Sequence, residues 1–165
     1  GIPTAVIRHK DFPDKLAFEQ AMTAELQRHG VELVCLAGFM RVLSPWFVEA
    51  WADRMINIHP SLLPSFPGLD THARALAAGV RLHGCTVHYV RAGVDDGPIL
   101  VQAAVPVLPG DSEADLAARV LAQEHRCYPL AVRLIAEGRA RVSGQRVAID
   151  GAPVPAGAAL VNPPG

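Results

Sequence analysis

The chain has 165 residues, of which half are hydrophobic and 19% charged, with a formal net charge of -1. That length suits one globular domain with a real core, and the composition excludes a disordered chain. The near-neutral balance gives no reason to expect nucleic-acid or membrane-surface binding, and no apolar run approaches the ~20 residues that span a bilayer.

Cys35, Cys85 and Cys127 are widely spaced and odd in number. That fits neither a disulfide framework nor a zinc ribbon and points to a reducing cytoplasm. No signal peptide heads the chain. It opens on Gly1-Ile2-Pro3-Thr4 without an initiator methionine, which reads as processing or as the later part of a longer polypeptide. Residues 1–150 are expected to form the folded domain. Residues 151–165, rich in Pro, Gly and Ala, read as a loose tail.

In chain order, Ala5-Val6-Ile7 reads as a short strand. Asp14 to His29 carries apolar residues at helical spacing (Leu16, Phe18, Ala21, Met22, Leu26) and stops at Gly30. Val31 to Ala37 is almost uninterruptedly apolar, as expected of a strand buried on both faces. The loop Gly38 to Leu43 follows, and Ser44-Pro45 supplies an N-cap and a first-turn proline for a short helix through Ala52. Met55 to Ile58 is the next strand, and Thr71 to Ala78 a helix ending at Gly79.

Cys85, Val87 and Tyr89 then alternate with Thr86, His88 and Val90, which predicts a strand with two distinct faces. Past the turn Arg91 to Pro98, Ile99 to Val107 is its antiparallel partner. Asp111 or Ser112 caps a long helix striped by Leu116, Val120, Cys127, Ala131 and Leu134, which Pro129 should kink. Arg139 to Val142 and Arg146 to Ile149 predict a terminal hairpin. Strand–helix alternation followed by a long hairpin implies an α/β sandwich with a mixed sheet.

Ligands of open α/β sheets bind outside the carboxyl ends of parallel strands. Two such ends here are Gly38-Phe39-Met40-Arg41 and Asn57-Ile58-His59. Asn57 and His59 stand two apart on a strand, so their side chains share a face, and Pro60 keeps His59 extended. An amide to hold an oxyanion beside an imidazole to move protons suits acyl-type transfer. The turn Val94-Asp95-Asp96-Gly97-Pro98 can bring a carboxylate to His59, which would stabilise its imidazolium.

His88 reads either as a satisfied interior histidine or as a site residue. Glu124 falls beside the apolar stripe of its helix, so it sits at the rim of the core or binds a ligand hydroxyl or amine. The histidine spacings, His59, His72, His83 and His88 among them, match no compact metal site, and no metal is expected.

Taken in order, Leu36-Ala37-Gly38-Phe39-Met40-Arg41, Asn57-Ile58-His59-Pro60-Ser61-Leu62-Leu63-Pro64, Gly84-Cys85-Thr86-Val87-His88-Tyr89-Val90 and Asp95-Asp96-Gly97-Pro98 closely resemble phosphoribosylglycinamide formyltransferase. The resemblance covers nearly everything from Gly1 to about Val142. It implies a Rossmann-like formyltransferase fold: a mixed, mostly parallel sheet with helices on both faces and a C-terminal antiparallel hairpin. It implies formyl transfer from 10-formyltetrahydrofolate, as co-substrate, to the amine of glycinamide ribonucleotide in purine biosynthesis. The partners would be these small molecules, without nucleic acid or membrane, and the protein a cytoplasmic monomer or homodimer.

By position, Asn57 would bind the formyl oxygen, His59 would carry the proton and Asp95 would keep it charged and oriented. The folate would meet Lys15, Met40, Arg41, Val42, Leu43, Asn57 and the loop Arg91, Ala92, Gly93, Val94 and Asp95. Glu124, Leu121 and Ile58 would contact the ribonucleotide.

The chain departs from the family in three places. The opening strand and glycine–serine loop that hold the substrate phosphate at a helix N-terminus are absent, so weak binding of the nucleotide by these 165 residues is expected. Lys15 stands where relatives usually carry arginine, keeping charge without the bidentate fork. Asp96 adds a second negative charge beside Asp95. A formyltetrahydrofolate hydrolase, formyltransferases acting on methionyl-tRNA or nucleotide sugars, and a non-catalytic folate-binding fragment are the alternatives.

Overall fold

The computed structural model of the chain describes residues 1–151 and Asn162. Two neighbouring residues of β2 (Met55–His59) show how the layers are arranged. Met55 and Ile56 are both essentially inaccessible to solvent, and each belongs to a different apolar cluster. Adjacent strand residues point to opposite faces, so the sheet is covered on both sides.

The cluster around Ile56 is closed by α4 (Glu113–Ala136), which lays Leu116, Val120, Cys127 and Ala131 against Cys85, Val87 and Tyr89. The cluster around Met55 is built from Phe47, Val48 and Trp51 of α2 (Pro45–Ala50) and its C-cap, with Met22 and Leu26 of α1 (Lys15–Arg28) against it.

The main sheet has the order β1 (Val34–Leu36), β2, β3 (Leu82–Tyr89), β4 (Ile99–Pro106). The first pair is parallel, with Leu36 opposite Asn57; the β2–β3 and β3–β4 pairs are antiparallel. The sheet is therefore mixed, and its parallel pairing among the described residues lies in β1–β2. Helix α3 (Thr71–Ala77) spans the connection from β2 to β3, and β5 (Ala140–Ser143) with β6 (Arg146–Ile149) makes the expected terminal hairpin.

Helix ends follow their caps. Asp14 accepts from Ala17 N at 2.8 Å, Ser44 caps α2, and Ser112 with Asp115 forms a reciprocal capping box. Pro129 lies inside α4, which continues as one helix to Ala136.

Two expectations change. Ala5–Ile7 forms no strand: a strand needs a hydrogen-bonding neighbour, residues 1–8 pair with none among the described residues, and Val6 is 82% exposed. The strand expected over 31–37 is reduced to Val34–Leu36 with Cys35 exposed, because β1 is an edge strand of the described sheet and pairs only with β2. The two faces expected of β3 are distinct, with Cys85, Val87 and Tyr89 in the core cluster and Thr86 and His88 opposite His59 and Asn57, and every residue from His83 to Tyr89 is buried. Both its faces are covered, by α4 on one side and by the segment after β2 on the other. Within the expected tail, Asn162 donates from Nδ2 to the carbonyls of Arg81 and Val107 at 2.7 and 2.9 Å; the rest of that expectation lies outside the described residues.

Candidate active site

The antiparallel register of β2 and β3 sets Asn57 opposite His88 and His59 opposite Thr86, all four on one sheet face. Thr86 fixes the chain that leaves β2. Its hydroxyl donates to the Ser61 carbonyl at 2.7 Å and accepts from Leu63 N at 3.1 Å and Gln102 Nε2 at 2.9 Å. One donor and two acceptor positions are thereby used in full, and the backbone after His59 is clipped to the hairpin.

The carboxylate arrives from the turn between β3 and β4. Gly97 lets this turn pass against β3, where a Cβ would lie 1.6 Å from the Tyr89 carbonyl oxygen. Asp95 itself takes the left-handed conformation, φ 52°, uncommon for a residue with a side chain. It brings Oδ2 within 3.3 Å of His59 Nδ1 and Oδ1 within 3.7 Å of His88 Nε2. Gly68 N donates to Oδ2 at 2.8 Å and steadies the group.

His59 is 5% exposed, and its Nε2 lies 2.9 Å from the Phe66 carbonyl. Both neighbours of the ring are acceptors, one beside each nitrogen. Delivering a proton to another group therefore requires the ring to exchange one of these acceptors for the reacting atom.

His88 has the opposite arrangement. Burial lowers its pKa, against smaller opposing effects of the Tyr89 carbonyl and Asp95. In the neutral ring Nδ1 donates to Tyr89 O at 3.0 Å, which leaves Nε2 to accept from Asn57 Nδ2 at 3.4 Å. The amide of Asn57 is thus oriented by a neutral histidine, while His59 is the histidine that lies nearer the Asp95 carboxylate. The alternation of residues 85–90 placed His88 inward, but only the β2–β3 register joins it to Asn57.

These groups stand at one end of a cavity of about 640 Å³. The cavity also takes in Ile58, the loop of Met40, Arg41, Val42 and Leu43, and the loop of Arg91, Ala92, Gly93 and Val94. Glu124 reaches it from α4, its pKa raised by burial. Lys15 and Leu121 are not among the lining residues: both are exposed, Lys15 at the start of α1 and Leu121 on α4. His72 and Glu113, which the sequence does not assign to the site, also line it. Tyr128 ties the layers together beneath the rim, donating to the Leu36 carbonyl at 2.6 Å with the Ile56 carbonyl 3.2 Å away.

Known proteins resemble the chain in both sequence and fold. The formyl transferase family matches residues 1–132. The chain is 44% identical over 155 residues to the phosphoribosylglycinamide formyltransferase of Escherichia coli, covering 94% of this chain and 73% of that protein. It is 55% identical over 141 residues to the trifunctional purine biosynthetic protein adenosine-3 of Drosophila pseudoobscura, covering 86% of this chain and 10% of that protein. Its fold superposes on the phosphoribosylglycinamide formyltransferase of Coxiella burnetii with a TM-score of 0.87 at 45% identity, covering 91% of this chain and 71% of that one. The chain thus spans only a small part of the trifunctional relative and under three quarters of the E. coli enzyme. With most of its length matched and its sheet superposed, the chain belongs to the formyl transferase family.

Proposed function

We propose that the chain carries the formyl-transfer centre of a phosphoribosylglycinamide formyltransferase, moving the formyl group of 10-formyltetrahydrofolate to the amine of glycinamide ribonucleotide in purine biosynthesis. The observation that carries this reading is the convergence of Asn57, His59 and Asp95 at the end of one cavity, with His59 Nδ1 3.3 Å from Asp95 Oδ2.

The substrate amine attacks the formyl carbon, and the bond from that carbon to the folate nitrogen breaks. Negative charge develops on the formyl oxygen, where the Asn57 amide, already turned by His88, donates a hydrogen bond. One proton leaves the attacking amine and one reaches the departing folate nitrogen. His59 carries this exchange by leaving the Phe66 carbonyl, while Asp95 keeps the ring oriented and balances its charge. The folate supplies the one-carbon unit, and its ring system suits the apolar wall of Met40, Val42 and Leu43 facing the loop of Arg91 to Val94. Glu124, half-buried at the cavity, is positioned to accept from a hydroxyl or amine of the ribonucleotide.

The transfer as proposed is direct and routes no step through a metal. The reading places the protein in the cytoplasm as a monomer or homodimer acting on small molecules rather than on nucleic acid or membrane. No described helix is long and apolar enough to cross a membrane.

The test is formyl transfer by the purified protein, with glycinamide ribonucleotide and with water as competing acceptors. Formylated ribonucleotide is the expected product. Formate release without it would move the assignment to a hydrolase, and folate binding with neither product would leave a binding fragment.

A further inference from the structure

Glu19 is a carboxylate that the chemistry above does not use, yet it is 1% exposed on α1. A charge is costly to bury unless its oxygens are bonded, and both of these face one residue. Oε1 accepts from the Ser44 amide at 2.8 Å, and Oε2 accepts from the Ser44 hydroxyl. That hydroxyl also accepts from Phe47 N at 3.2 Å, so the N-cap of α2 and the carboxylate form one chain of bonds.

Ser44 directly follows the loop of Met40 to Leu43, and α1 touches this loop a second time. The Arg41 guanidinium lies 5.8 Å from the centroid of the Phe18 ring, beside Glu19 on the helix. One turn further along α1, Thr23 accepts from Trp51 Nε1 at 3.3 Å, at the other end of α2. Leu43 packs against the cluster of Phe47 and Met55, but the rest of the loop has little burial to hold it: Met40 is 75% and Val42 68% exposed, although both line the cavity. A segment of this kind keeps one shape only through its anchors.

We infer that Glu19 is a positioning residue for the folate co-substrate, fixing the C-terminal end of the Met40–Leu43 loop through Ser44 so that the apolar wall exists before the ligand arrives. The inference deepens the formyltransferase reading and rests on it for the identity of the ligand. It does not rest on it for the anchor itself.

Amide hydrogen exchange of the unliganded protein tests the anchor. Glu19→Ala should raise exchange at Ser44 and through residues 40–43 by at least about tenfold, as loss of a charge-assisted bond implies, and leave β3 unchanged. Steady-state kinetics test the consequence: KM for 10-formyltetrahydrofolate rises about tenfold by the same bond, while kcat and KM for the amine substrate stay within about twofold. Glu19→Gln, which keeps one acceptor and the side-chain volume, should restore part of both effects and serves if the alanine variant does not fold. Ser44→Ala removes the hydroxyl bond to Oε2 and keeps the amide bond to Oε1, so it should raise exchange and the folate KM in the same direction as Glu19→Ala.

Unchanged exchange at Ser44 overturns the inference. So does a rise in both KM values with a fall in kcat, which would mark a general structural role. If the unaltered protein transfers no formyl group, the proposed activity fails while the exchange result still decides whether Glu19 holds the loop.

Discussion

On one wall of the cavity, Asn57, His59 and His88 stand on hydrogen-bonded neighbouring strands, and both histidines are almost fully buried. On another part of the lining, Met40 and Val42 project from a loop without regular structure and are mostly exposed. The first wall is fixed by register: each polar group has a partner before any ligand is present. The second is fixed by what flanks it, with Ser44 bonded to Glu19 and Leu36 within β1. Chemistry that needs atoms held within tenths of an ångström falls to the sheet. Apolar recognition of a flat ring, which tolerates small shifts, falls to the loop. Substitutions on the two walls should therefore separate, the first lowering turnover and the second weakening co-substrate binding.

The largest effects belong to the polar wall. His59→Ala and Asp95→Asn should each lower kcat by about 10²–10⁴, the range for removing a positioned acid or base, with folate affinity within a few-fold of the unaltered protein. Asp95→Asn keeps an acceptor for Gly68 N, so the loss can be assigned to the charge facing His59 rather than to collapse of the turn. Stopped-flow folate binding beside steady-state turnover separates the two quantities. Near-normal turnover in either variant would remove that residue from the chemistry.

Acid should act on the same wall from behind. His83 is 1% exposed, and its pKa is lowered to about 4, chiefly by burial and secondarily by neighbouring His72, 3.2 Å away. A folded pKa below the unfolded value of about 6.5 means that the unfolded chain binds the extra proton between these values. Stability is therefore fully present above about pH 6.5 and is lost as pH falls towards 4, by up to about 3 kcal/mol from this group. His72 and His88 are lowered in the same direction by burial. His83 packs edge-on against Phe66, whose carbonyl holds His59, so charging it should disturb His59 as well. Urea midpoints from pH 7 to 4 should fall steeply, and His83→Leu should flatten the slope. An unchanged slope would show that the acid sensitivity comes from elsewhere.

Much of the polar wall is legible in the sequence because it depends on local rules. Asn57 and His59 share a face by the two-residue repeat of a strand, and the caps at Asp14, Ser44 and Ser112 mark helix starts by side-chain chemistry alone. Asp95 follows from a turn between two recognisable strands. His88 depends on something that periodicity does not carry. Alternation says which face it takes, but only the pairing of Asn57 with His88 says what it meets there. The role of Glu19 is hidden for a similar reason. A carboxylate between Phe18 and Gln20 on a helix reads as solvated, and its partner Ser44 lies 25 residues away. Ala5–Ile7 shows the converse, a β-like composition that makes no strand because no described neighbour pairs with it.

The smallest expected effects lie on the loop wall. Met40 and Val42 already face solvent, so replacing either with serine removes little from the core and should leave stability within about 0.5 kcal/mol, as for most surface changes. What changes is the apolar area available to a ligand. Burying part of such a side chain against a ring contributes up to about 1 kcal/mol, which corresponds to a rise in folate KM of up to about fivefold. Turnover at saturating folate should stay near that of the unaltered protein, because Asn57, His59 and Asp95 keep every contact that positions them. A fall in kcat equal to that in kcat/KM would mean that the loop contributes to the transition state rather than to binding alone. The division between a fixed chemical wall and an anchored binding wall would then have to be abandoned, even though both line one cavity.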